Sequence, residues 1–144
     1  MFLDECKTLG HLLMHVCRMR GKRADQFMEQ SNLFRGQGIL LLILSRHDGL
    51  THSEIAEMLD ISPAAATKVI KRLEQAHYLQ RMTDSGDERV SRVYLMDEGR
   101  AVINEIHKSF KRLDEITFKN FSEEELAKLR DYINRMMHNL QKIK

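Results

Sequence analysis

The sequence predicts a mainly α domain with one small β-hairpin, and three observations carry that reading. Apolar residues recur at helical spacing through most of the chain. Two helix-start signals, Thr51-x-x-Glu54 and Ser62-Pro63, stand close together in its middle. Just after them, two short runs flank a polar, Gly-containing loop, and Val93 and Leu95 alternate with polar neighbours in the second. A single Pro among 144 residues leaves few obligatory breaks in the helices.

Taken in order, Leu9, Leu12, Leu13 and Val16 set one apolar face, followed by Arg20 and Arg23, and predict a first helix from about residue 5 to 30. Gly36 to Arg46 reads as a compact apolar helix ended by the turn chemistry of His47-Asp48-Gly49. Thr51-His52-Ser53-Glu54 is a capping box, in which Thr51 accepts from the Glu54 N–H while Glu54 reaches back. Its helix buries Ile55, Ala56 and Leu59, and Asp60-Ile61 turns the chain. Ser62 then caps a second helix with Pro63 at its first position, and Ala66, Val69, Ile70 and Leu73 form the buried stripe. Two helices joined by so short a turn make a helix-turn-helix. Tyr78 to Met82 and Arg89 to Met96 are the hairpin strands, and a hairpin directly after a helix-turn-helix is a wing.

Asp97 is placed to cap a long helix through about Asn120, with Val102, Ile103, Ile106, Phe110 and Leu113 inward. Ser122-Glu123-Glu124-Glu125 is a second capping box. Behind it, Leu126, Leu129, Ile133, Met136, Leu140 and Ile143 recur at spacings 3, 4, 3, 4, 3, a heptad seam. Two coverings fit that seam, the rest of the same chain or a second copy. The second is favoured because the seam runs nearly to the last residue, where one small domain offers little to lie on it. No repeat, low-complexity tract or Gly/Ser linker divides the chain, so residues 1–144 are read as one unit.

Composition limits the function classes. The chain is 42% hydrophobic and 31% charged, and a chain this long buries roughly 68–70% of its unfolded surface, so no disulfide or metal staple is required. The longest apolar run, Ile39 to Leu44, is far short of the ~18 residues of a membrane helix, and no membrane partner is expected. Asp4 and Glu5 stand where an export leader carries bases, so Cys6 and Cys17 are expected to be reduced thiols of a cytoplasmic protein. Net charge is only +2, but its distribution is uneven. Residues 51–61 carry Glu54, Glu57 and Asp60, net −3, whereas 62–73 carry Lys68, Lys71 and Arg72 and no acid, net +3.

Catalysis finds no support. There is no Gly-rich phosphate loop, no Gly-x-Ser-x-Gly elbow and no strand–helix alternation to hold a cofactor, and none is expected. His11 and His15 have the i, i+4 spacing of a metal-binding pair but lack the Glu of a metalloprotease helix. Cys6 and Cys17, eleven residues apart on one helix, stand ~16 Å apart and cannot share an ion, so no metal site is expected.

The run Leu50 to Ser62, then Leu73-Glu74, Tyr78-Leu79-Gln80-Arg81, Asp87-Glu88-Arg89, Leu95 and Gly99, resembles the MarR family of multiple-antibiotic-resistance regulators, and the resemblance spans essentially the whole chain. It implies a winged helix-turn-helix over residues 36–96, flanked by N- and C-terminal dimerisation helices over 1–34 and 98–144. It implies a homodimeric transcriptional regulator, a repressor, on pseudo-palindromic double-stranded DNA, with a small-molecule effector held where the dimer helices meet the winged region. Matched position by position, Ser62, Ala64, Ala65, Thr67 and Lys68 fall on the base-facing start of the recognition helix, with Lys71 one turn later. Asp87 and Arg89 match the wing pair, in which the carboxylate holds the guanidinium toward the minor groove.

Physical chemistry supports these roles. A narrow minor groove attracts Arg. Alanines let a helix approach base edges and meet a thymine methyl, and Lys68 can reach a guanine edge or a phosphate. Thr51 and Ser53, at a helix start, suit a phosphate oxygen, and Arg92 is a further candidate. His77 stands where the family usually has a helix-ending Gly, so a left-handed His is expected there; Asp97 stands where it usually has Thr. Family members that sense peroxide place a Tyr of the second helix beside the reactive thiol, and Gly36 to Arg46 has none. Cys17 is therefore expected to be a buried, inert thiol. Zinc sensing is not favoured either, since His107 has no His at 103 or 111. The remaining alternatives are a winged-helix protein-interaction module that does not bind DNA, and a thiol- or metal-sensing regulator of the same fold.

Overall fold

In the computed structural model, which describes residues 8–143, the chain folds as six helices and three short strands. They are α1 (Leu9–Glu29), α2 (Arg35–Arg46), β1 (Leu50–Thr51), α3 (His52–Leu59), α4 (Pro63–Gln75), β2 (Leu79–Thr83), β3 (Ser91–Leu95), α5 (Asp97–Thr117) and α6 (Glu123–Gln141). The capping boxes form as the sequence predicts. Thr51 and Ser122 each accept a backbone N–H three residues on, and Glu54 and Glu125 reach back. Ser62 caps α4 with Pro63 at its start.

Helix ends are set by left-handed residues. Asp60 (φ 52°) stops α3, and His77 (φ 60°) stops α4 in the conformation expected of it. Around His77 the orphan carbonyls of α4 are satisfied: the Tyr78 N–H donates to the Leu73 carbonyl and the His77 N–H to that of Glu74, both at 3.0 Å. The next contact explains Gly99. The Met96 N–H donates to the Tyr78 carbonyl at 3.0 Å, and a β-carbon on Gly99 would collide with that same carbonyl oxygen. The first turn of α5 is thereby pressed against the α4–β2 junction.

The core lies inside the winged region. Leu40, Leu41 and Leu44 of α2 meet Ile55 of α3, Ala66, Ile70 and Leu73 of α4, and Leu79, Val93 and Leu95 of the sheet. Met28 of α1 and Ile106 of α5 close it from the flanking helices. Each of these large side chains contributes about 1.5–3 kcal/mol by burial. The strands form an antiparallel sheet in the order β1-β3-β2, with Leu50 opposite Val93 and Met82 opposite Arg92. Arg20 of α1, paired with Asp114 at 2.9 Å, and Arg112, stacked 4.8 Å over the Phe27 ring, tie α1 to α5.

Several expectations are corrected. The hairpin has a third strand, β1, two residues long and paired to β3 across more than forty residues of chain, which gives no local signal. Asp97 is the first residue of α5 and Met96 occupies the cap position, with no side-chain cap bond; Asp97 serves as a first-turn acid facing the helix dipole. That helix ends at Thr117, short of Asn120, which is itself left-handed. The first helix begins at Leu9, capped by Thr8; the expected start near residue 5, and Cys6, lie outside the described residues. Within the single chain the α1 stripe and part of the α6 seam stay open: Leu9, Leu12, Leu13 and Val16 are exposed, as are Ile133 and Leu140 (69%), while Leu126, Leu129 and Met136 are half-buried.

Candidate nucleic-acid interface

The start of α4 is built as an approach surface. Its buried stripe, Ala66, Ile70 and Leu73, faces the core, so helical spacing turns Ala64, Lys68 and Lys71 outward on the other side. Ala64, Lys68 and Lys71 are exposed, Ala65 is half-buried, and neither lysine enters an ion pair among the described residues. Arg72, on the same helix, stacks 5.9 Å over the Phe34 ring.

Hydroxyls mark the two helix starts. Ser62 Oγ accepts from the Ala65 N–H at 3.1 Å and Thr51 Oγ1 from the Glu54 N–H at 3.2 Å. An oxygen used this way keeps its own proton free to donate to a phosphate. The bonds from Thr51 also hold the Glu54 carboxyl below the usual carboxylate range. Ser53 is exposed beside them. Thr67 differs: its hydroxyl donates back to the Pro63 carbonyl at 3.0 Å, leaving mainly its methyl to face outward.

The wing tip is a carboxylate-organised turn. Asp84 Oδ2 accepts from the Gly86 and Asp87 N–H groups at 3.1 and 3.2 Å, while its Oδ1 accepts from Arg92 Nε at 2.7 Å. The Arg92 bond, followed by that from Gly86, holds the Asp84 carboxyl below its ordinary range. Arg92 also donates through Nη1 to the Gly49 carbonyl at 2.9 Å, so its half-buried guanidinium braces the base of the wing against the turn before β1. Beyond that brace, Asp87 Oδ1 accepts from both the Arg89 backbone N–H (3.0 Å) and Arg89 Nε (3.3 Å). The Arg89 side chain is nevertheless 92% exposed. It is anchored at one nitrogen and otherwise projects freely.

Sequence reasoning missed two supports. Asp84 could have been found from the Asp84-Ser85-Gly86 turn signal. The other is a forked pair between Glu74, at the end of α4, and Arg81 of β2. Both residues stand in the stretches that carry the family resemblance, but no local spacing pairs them, because the left-handed turn at His77 folds the two together.

The sensing candidates are placed as follows. Cys17 is exposed on α1, not buried as expected, because the α1 face is open. His11 bonds to Thr8, and His15 Nδ1 is buried with no partner among the described residues. No cluster of three metal-ligating side chains occurs among the described residues. A cleft of about 300 Å³ lies between Asp114 and Phe118 at the end of α5 and Leu126, Leu129, Arg130, Ile133 and Asn134 of α6, and no winged-region residue lines it. No helix of the described residues is long and apolar enough to cross a membrane.

Comparison with known proteins agrees with this architecture. The family model for the MarR family matches residues 34–91, which hold the helix-turn-helix and the wing tip. The chain is 35% identical over 131 residues to the transcriptional regulator PecS of Dickeya dadantii, covering 89% of this chain and 79% of that protein. It is 35% identical over 79 residues to the transcriptional repressor MdtR of Bacillus subtilis, 55% of this chain and 51% of that one. Among solved structures it superposes on the transcriptional regulator SlyA with a TM-score of 0.85 at 24% identity, over 93% of this chain and 94% of that one. It superposes equally well on MepR of S. aureus in complex with DNA, TM-score 0.85 at 24% identity, over 92% and 98% of the two chains. The fold is theirs, and the extended identity to PecS places the sequence with the regulators rather than with any enzyme class. The chain belongs to the MarR family of helix-turn-helix transcriptional regulators.

Proposed function

We propose that this chain acts in the cytoplasm as a homodimeric repressor that grips a pseudo-palindromic DNA duplex and releases it when a small-molecule effector binds. Residues 36–96 read the DNA, and the helices of 1–34 and 98–144 join the two copies. Each protomer offers α4 to the major groove through Ser62, Ala64, Ala65, Thr67, Lys68 and Lys71. Thr51 and Ser53 meet the phosphates, and the wing delivers Arg89, steadied by Asp87, into the adjacent minor groove. Arg92 serves by bracing the wing.

The observation that carries this reading is the combination of an unpaired basic face on α4 with an Arg89 that is held by Asp87 yet 92% exposed. An arginine anchored through Nε alone keeps donors free for a narrow, strongly negative groove. The solved MepR–DNA complex supports DNA as the ligand, and the repressor MdtR supports the direction of control. Uncovered apolar stripes on α1 and α6 support the homodimer, since monomers rarely leave such stripes in water. A gel shift on genomic fragments at two salt concentrations tests the reading. Discrete shifted fragments whose affinity falls steeply with salt are expected; no shift on any fragment would favour the protein-interaction alternative.

A further inference from the structure

The chain passes from one DNA-facing arm to the other through the turn from α4 into β2, and that turn is clamped by a forked ion pair. Arg81 Nε donates to Glu74 Oε2 at 2.8 Å and Nη2 to Oε1 at 2.7 Å. The Arg81 backbone N–H adds a longer bond of 3.3 Å to Oε2. A forked guanidinium–carboxylate pair fixes orientation as well as distance, which a single contact or a lysine cannot do. Glu74 lies in the last turn of α4, the helix that carries Lys68. Arg81 lies at the centre of β2, opposite Val93 of β3, and β3 runs back from there toward Arg89. The pair therefore sits on the short path from one arm to the other. It is partly exposed, with side chains 42% and 32% accessible, and pairs of that exposure add little to stability. Its consequence is geometric.

We propose that Glu74 and Arg81 are positioning residues for DNA binding: touching no DNA, they fix the angle between α4 and the wing so that Lys68 and Arg89 reach their two grooves together. The inference rests on the DNA reading above. Its second support is the neighbourhood of the pair. His77, between the partners, is held left-handed, and Gly99 lets α5 press on the Tyr78 carbonyl, so the junction is also held by α5. Because the Arg92–Gly49 brace and the β1–β3 pairing still hold the base of the hairpin, loss of the fork shifts the angle of the wing against α4 rather than unfolding either.

The test is a double-mutant cycle on the full chain. The probe is a labelled duplex enriched from a random-sequence library by the wild-type protein, and binding is read by fluorescence anisotropy well below the melting temperature. Arg89→Ala should weaken wild-type binding about tenfold, and by less than about threefold once Glu74→Gln has unfastened the wing. Lys68→Ala should keep its full effect in both backgrounds. Arg81→Lys, which retains the charge and loses the fork, should reproduce the Glu74→Gln pattern and serves in its place if that variant does not fold. A merely structural role would lower the melting temperature while leaving the Arg89→Ala ratio unchanged, and that result would overturn the inference alone. If wild-type protein enriches no duplex, the DNA reading and the inference fall together.

Discussion

Asp87 binds Arg89 twice through one oxygen, Oδ1, taking both the backbone N–H at 3.0 Å and the side-chain Nε at 3.3 Å. The same carboxylate thus shapes the wing turn and limits the rotamers of an arginine that is otherwise free. Two physical ideas then disagree about Asp87. Deleting an acid near DNA should strengthen phosphate binding, whereas deleting the tether should weaken the delivery of Arg89.

The tether is expected to win. Arg89→Ala should weaken binding to every duplex while changing half-site preference little, because the minor groove separates A·T from G·C only coarsely. Asp87→Ala should have the same sign and a smaller size. Anisotropy at two salt concentrations checks both, and tighter binding by Asp87→Ala would show that the carboxylate does not orient the arginine.

His77 gives a stability prediction. A left-handed, non-glycine residue carries a strain of about 1–2 kcal/mol, and its φ is 60°. His77→Gly should therefore raise the melting temperature by a few degrees or leave it unchanged, glycine's own entropy offsetting part of the relief. A clear fall in a thermal melt would mean that the imidazole itself is needed there.

Much of this molecule was legible because its signals are local. Thr51 with Glu54, Ser62 with Pro63, and Ser122 with Glu125 each announce a helix start within four residues, and all three formed. Buried stripes such as Ala66, Ile70 and Leu73 were legible from period alone. Contacts made across the fold were not. β1 exists because Leu50 meets Val93, Arg92 is a brace because Gly49 and Asp84 converge on it, and Arg81 finds Glu74 only because His77 turns left-handed. Met96 took the cap position from Asp97 because the Tyr78 carbonyl fixes the Met96 N–H, a constraint reaching back into another element.

Acid should destabilise the protein in two stages. Burial, then the positive charge of Arg81, lower the His52 pKa from its ordinary 6.5, with Glu74 opposing. Its ring Nε2 is also buried, with no partner among the described residues. The unfolded chain therefore binds this proton first, so stability present above pH 6.5 is lost as pH falls through that value toward the lower folded pKa. Glu54, Glu74 and Asp84, all held below their ordinary range, add their own loss at lower pH. Melts at pH 7.5 and pH 5.5 should show a larger drop for wild type than for His52→Gln. Equal drops would remove His52 from the account.

Assembly makes a prediction of its own. A dimer interface built on the α1 and α6 stripes should exceed ~1,000 Å², and light scattering at micromolar concentration should give twice 16.9 kDa. Ile133→Glu, a charge placed in the middle of the heptad seam, should shift the population toward monomer. A wild-type monomer that still binds a palindrome would contradict the assignment of residues 1–34 and 98–144.

The most direct measurement of the central claim is in vitro selection of random-sequence duplexes by the intact protein, repeated with Lys68→Ala. Two copies presenting α4 and the wing about a twofold axis should enrich inverted half-sites. If Lys68 reads a base, its alanine variant should relax one or two positions in each half-site, at ~1–3 kcal/mol apiece. If Lys68 meets only phosphate, affinity should fall uniformly, with the salt slope reduced by about 1 per contact. Either outcome keeps α4 on the DNA. Enrichment of no duplex, or a selected site whose affinity and sequence preference Lys68→Ala leaves untouched, would contradict it.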